Sequence, residues 1–162
     1  MNLFLWGALP YIAFTFLIVG TLVRFFYFER NWTTKSSQFL EKKQLRIANP
    51  LFHFGLLCVI GGHVVGVLIP KTWTAAIGIN DHMYHQGALY MGAVAGLIFI
   101  VGFLLLMKRR FTVAELKVNT SRLDKWLYLF LTLAIFSGMA GTLLNASGFF
   151  DYRVSIGPWF RS

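Results

Sequence analysis

Four uncharged, apolar stretches constrain this chain more than any other feature: residues 3–23, 50–70, 84–107 and 126–147 contain no Asp, Glu, Lys or Arg. A hydrocarbon core about 30 Å thick takes about 20 helical residues to cross, and no other segment is long enough. Lipid offers no partner to backbone N–H and C=O groups. A segment that crosses it must close its own hydrogen bonds, as an α-helix does. The expected fold is therefore all-α, an integral membrane helical bundle with four transmembrane helices. These run over about residues 3–24, 50–70, 84–107 and 126–147 in a single membrane domain, 1–162, with an interfacial tail at 148–162. The first stretch reads as a retained span. It lacks a basic start, is too long for a signal core and ends in a dense basic stop.

Composition agrees. The chain is 57% hydrophobic and only 13% charged, against about 25% charged in a soluble domain. A net charge of +9 by itself would suit nucleic acid. Here the cations crowd at the ends of the apolar stretches, where anionic headgroups and the positive-inside bias account for them. The partner this implies is the lipid membrane, not nucleic acid. The loop 24–49 holds Arg24, Arg30, Lys35, Lys42, Lys43 and Arg46, and the loop 108–125 holds Lys108, Arg109, Arg110, Lys117, Arg122 and Lys125. The loop 71–83 has Lys71 alone, and the N-terminus has no basic side chain. Both basic loops are thus expected in the cytoplasm, with the N-terminus, the loop 71–83 and the tail outside. The run Trp32 to Lys43 suits an interfacial or docking helix as well as it suits a solvated loop.

The second stretch carries His53 and His63. Ionisable side chains at membrane depth are rare and mark function by default. Ten helical residues separate the two by ~15 Å along the axis and roughly 80° around it, so both can face one side of a bundle. Entering from the cytoplasm, His53 lies shallow and His63 past the middle. Neutral imidazole is a standard axial ligand for haem iron, and a haem at each level would make a two-step electron path across the bilayer. Hydrogen-bonded histidines of a proton relay are the competing reading. Gly55, Gly61, Gly62 and Gly66 clear space beside both imidazoles, although Gly62 with Gly66, and Gly92 with Gly96, also fit ordinary small-residue helix packing. Each six-coordinate haem needs a second ligand. His82 and His85 lie at the outer edge and can approach only the His63 level, and nothing in the fourth span can partner His53.

The outer run Asn80-Asp81-His82-Met83-Tyr84-His85 brings two imidazoles, a carboxylate and a phenol to the membrane surface near His63. A quinol site needs groups that hydrogen-bond the ring oxygens and release protons outward, which His82, Tyr84 and His85 can supply. An interface-seeking polar loop explains them equally well. Cys58 is the one cysteine. It reads as a packing residue, with no disulfide or iron–sulfur spacing to serve.

The motifs Pro10-Tyr11-Ile12, Ser36-Ser37-Gln38 through Lys43, and Asn49 to His53 together resemble the respiratory nitrate reductase gamma subunit, a membrane cytochrome b family. Gly62-His63-Val64-Val65-Gly66 with Pro70, Leu104 to Arg110, Asp151-Tyr152-Arg153 and Trp159-Phe160-Arg161 extend the likeness collinearly over nearly the whole chain. The resemblance implies a multi-pass protein of the bacterial cytoplasmic membrane, with a family fold of five helices and the N-terminus outside. It implies two b-type haems, with His63 holding the outer iron and His53 the inner. It further implies an electron-transfer subunit of a quinol:nitrate oxidoreductase. Quinol would be oxidised at the outer face and electrons passed to an iron–sulfur beta subunit and a molybdenum alpha subunit, where nitrate is reduced. Family members carry the second pair of axial histidines on a further helix that this chain does not reach, so the last helix of the family fold is expected to be lacking here. Some relatives also place a quinol-associated lysine where this chain reads His82 to Gln86. The alternative role is a non-redox anchor, or truncated subunit, that only docks soluble partners.

Overall fold

The computed structural model describes residues 4–27, 39–149 and 156–161. The run Trp32 to Gln38 and the tail residues Asp151, Tyr152 and Arg153 lie outside the described residues. The chain forms two compact units, Met1–Ser37 and Gln38–Ser162.

In the first unit a π-helical turn, Phe4–Ala8, leads into α1, Leu9–Tyr27. In α1 the Thr15 hydroxyl donates to the Tyr11 carbonyl at 2.8 Å, which satisfies it within the helix's uncharged stretch.

The second unit is built around α4 (Asp81–Thr112), against which α2 (Lys43–Leu68), α6 (Arg122–Ala146) and the short α3 (Lys71–Ala76) and α5 (Ala114–Val118) pack. A last short helix, α7 (Ile156–Arg161), lies on α2. Four helices among the described residues are long and apolar enough to cross a membrane: Phe4–Tyr27, Lys43–Leu68, Asp81–Thr112 and Arg122–Ala146. The all-helical, four-span expectation is met, and the helices overrun the uncharged stretches into the polar loops.

The α2–α4 crossing rests on two glycines. A Cβ on Gly55 would stand 2.6 Å from the Cα of Phe99, and one on Gly102 would meet the backbone of Leu51 and Phe52. Each helix thus lays a bare backbone against a phenylalanine of the other, the close approach that small residues permit in membranes. The Phe52 ring stacks between Phe99 at 5.1 Å and Phe103 at 6.4 Å, and Phe103 meets Tyr128 of α6 at 6.4 Å. Gly55 therefore serves helix packing rather than clearance for a ligand.

Two adjacent arginines fasten the end of α4. Arg109 Nε donates to Glu41 Oε2 at 2.8 Å, and its Nη2 to the Glu41 carbonyl at 2.7 Å. Arg110 Nη2 donates to Asp124 Oδ2 at 2.8 Å. Each acid also caps its own helix. Glu41 Oε1 accepts the Gln44 N–H of α2 at 2.8 Å, and Asp124 forms a reciprocal capping box with Ser121 on α6. A carboxylate at a helix N-terminus is favoured by the free N–H groups there. Successive residues of a helix point about 100° apart, which lets neighbouring arginines hold α2 and α6 separately. The Gln44 N–H is the main cause holding the Glu41 carboxyl below its usual range; partial desolvation opposes it, and Arg109 adds to the lowering.

Candidate haem and quinol site

Both singled-out imidazoles stand on one unbroken helix, α2, and both are exposed. His53 Nδ1 lies 2.9 Å from the Asn49 carbonyl, one turn back. That carbonyl can only accept, so Nδ1 is the donor, and in the neutral tautomer this leaves the lone pair on Nε2, at the far side of the ring. The same contact fixes the ring's direction, the usual arrangement for a ligating histidine. The Phe52 ring meets the imidazole edge-on at 5.2 Å. No group of three or more His, Cys, Asp or Glu side chains stands together among the described residues.

The His82–His85 cluster sits on the first turn of α4. Asn80 caps that helix, its Oδ1 accepting the Met83 N–H at 2.8 Å, and Lys71 of α3 pairs with Asp81 at 3.3 Å. His82 is exposed, while Tyr84 and His85 are half-buried. The structure does not set them level with His63. Eight residues beyond the Gly55–Phe99 contact, the antiparallel register sets His63 opposite Met91, six residues or about 9 Å from His85. Two features escaped the sequence reading. The partner of His53 is a backbone carbonyl, which leaves no trace in sequence. The Glu41–Arg109 pair joins residues whose nearness only the α2–α4 crossing creates.

An all-helical chain with four span-length apolar helices, cationic helix ends and single imidazoles at membrane depth is an integral membrane protein. Residues 2–162 match the family model described as nitrate reductase gamma subunit, and the chain belongs to that family. It is 45% identical over 158 residues to the nitrate reductase gamma chain of Bacillus subtilis, covering 97% of this chain and 71% of that one. It is 41% identical over 160 residues to a nitrate reductase-like protein of Mycobacterium tuberculosis, covering 97% of this chain but 24% of the relative. The respiratory nitrate reductase 1 gamma chain of Escherichia coli is 31% identical over 124 residues, 76% of this chain and 55% of that one. The chain thus spans about a quarter and about half of the last two relatives.

Proposed function

We propose that this chain is the haem b membrane subunit of a respiratory nitrate reductase, which oxidises quinol at the outer face and delivers electrons toward cytoplasmic catalytic subunits. The observation that carries the reading is the His53–Asn49 contact, which holds an imidazole on a span-length helix with Nε2 turned away from the Asn49 carbonyl. The donor set suits a haem: the imidazoles of His53 and His63 stand at separate levels of α2. When bound, the haems supply one-electron transfer between those levels. The chain's own residues do the rest. Asn49 orients the inner ligand, and His82, Tyr84 and His85 take up the protons that quinol loses when it becomes quinone. The exposed cations at the Arg109 end face the cytoplasm, which puts the His82 end outside. The partners on this reading are an iron–sulfur beta subunit and a molybdenum alpha subunit.

The test is the reduced-minus-oxidised spectrum of the purified complex. The native complex is expected to show two b-type haems. His53→Ala and His63→Ala each remove one of them while protein abundance holds. A complex with no haem band overturns the reading.

A further inference from the structure

The line of α2 that carries His53 is turned away from α4. Ala48 and Gly55 are buried on this helix, and at 100° per residue His53 stands about 140–160° around the axis from both. Arg46, Asn49 and His53 follow one another at three and four residues, so they share one face, and all three are exposed. Arg46 thus stands in line with His53, about 10 Å nearer the Arg109 end. The register that sets Gly55 against Phe99 sets Arg46 level with Lys108.

The cations of this end are differently committed. α2 and α4 carry three arginines. Arg109 is held by Glu41 and Arg110 by Asp124. Lys42, one turn before Arg46, lies over the Phe39 ring at 5.6 Å. Among the described residues the Arg46 side chain has no hydrogen bond or ion pair. It is a cation on the face of the candidate iron ligand with its charge unspent.

The chemistry of a haem asks for such a group. The macrocycle bears two propionate carboxylates on its rim, and a carboxylate taken from water into an apolar medium is costly unless it is paired. The contact of His53 Nδ1 with the Asn49 carbonyl tips the imidazole toward the Arg46 end. A guanidinium matches a carboxylate with two parallel N–H donors, and its long stem lets the head travel along the helix surface.

We propose that Arg46 pairs with a propionate of the haem held by His53 and so anchors the rim of the macrocycle at the Arg109 end. The proposal rests on the haem reading above and names a residue which that reading does not use. Arg46 is a haem-binding residue here and does not touch the iron.

Potentiometric titration of the purified complex tests it, with the propionate bending band in resonance Raman spectra as a second readout. Arg46→Gln removes a positive charge beside the haem, which favours the ferric form. At the native midpoint potential the ferrous-to-ferric ratio of the haem lost in His53→Ala is expected to fall about threefold or more. The other haem keeps its potential, and the propionate band shifts. Arg46→Lys keeps the charge and is expected to hold most of the potential while still shifting the band; it carries the test should Arg46→Gln shed the haem. Lys43→Gln removes a charge at the same end but off this face, and is expected to leave both readings native. Arg46 variants that move neither the potential nor the band overturn the proposal, as does an equal response to Lys43→Gln. An arginine engaged by a lipid headgroup would give the first of those results. A native complex without a haem band overturns the haem reading itself and this proposal with it.

Discussion

The two ends of the second unit are held together in opposite ways. At the Arg109 end, the Arg109 and Glu41 side chains are 4% and 17% exposed, their acid also caps a helix, and the helices touch backbone to backbone at Gly55 and Gly102. At the His82 end, the Lys71 and Asp81 side chains are 38% and 64% exposed, and a Cβ on Gly92, Gly138 or Gly141 would meet nothing within 4 Å. One end is a rigid fastening. The other is held by a solvent-exposed ion pair, and it carries His82, Tyr84 and His85.

Matched glycine substitutions break the comparison most sharply. Gly55→Ala and Gly102→Ala force a methyl group into the facing backbone, and overpacking of that kind costs about 1–3 kcal/mol or more. Gly92→Ala and Gly138→Ala add the same methyl group to open space and are expected to shift stability by less than about 1 kcal/mol, with helix propensity favouring alanine. Thermal unfolding of the purified complex in detergent reads both pairs. Equal losses at all four positions would erase the distinction between the two ends.

Next comes the fastening itself. Arg109→Gln strips a buried guanidinium from Glu41 and is expected to lower the melting temperature by several degrees. It carries a pH signature. The Glu41 carboxyl titrates below its usual range in the folded state, so its contribution is fully present above the ordinary glutamate pKa and fades as pH falls through the lowered one. The gap between wild type and Arg109→Gln should therefore be constant from neutral pH down to mildly acid conditions and close below them. A gap that widens on acidification would contradict the assignment. Asp124→Ala removes both a capping box and the partner of Arg110, and a loss of about 1 kcal/mol is expected in the same melts.

The sequence disclosed these two ends unequally. The spans were legible because lipid leaves few options for an uncharged stretch of that length, and the cations at their ends followed. The two histidines on α2 stood out because so little else in the uncharged stretches is ionisable. What joins the helices was not. Gly55 and Gly102 gave no sign of which neighbour each would meet, since small residues serve packing and ligand clearance alike. The division of labour between Arg109 and Arg110 depends on a 100° turn and on where two other helices begin. Asn145 was the one carboxamide in the stretch 126–147 and stood in plain view. Nothing in the sequence announced that it would be buried, at 8% exposed.

The smallest effect belongs to the pair that closes the open end. Lys71 and Asp81 face each other at 3.3 Å across the link between α3 and α4, with both side chains substantially in solvent. Exposed pairs of this kind contribute about 0.2–1 kcal/mol and are screened by salt, so Lys71→Gln should cost about 0.5 kcal/mol at low ionic strength and nothing measurable in molar salt. The value of the measurement lies in its contrast with Arg109→Gln, whose guanidinium is shielded from water and whose effect should persist in the same salt. If instead Lys71→Gln proved as damaging as Arg109→Gln and as insensitive to salt, the His82 end would be fastened as tightly as the Arg109 end.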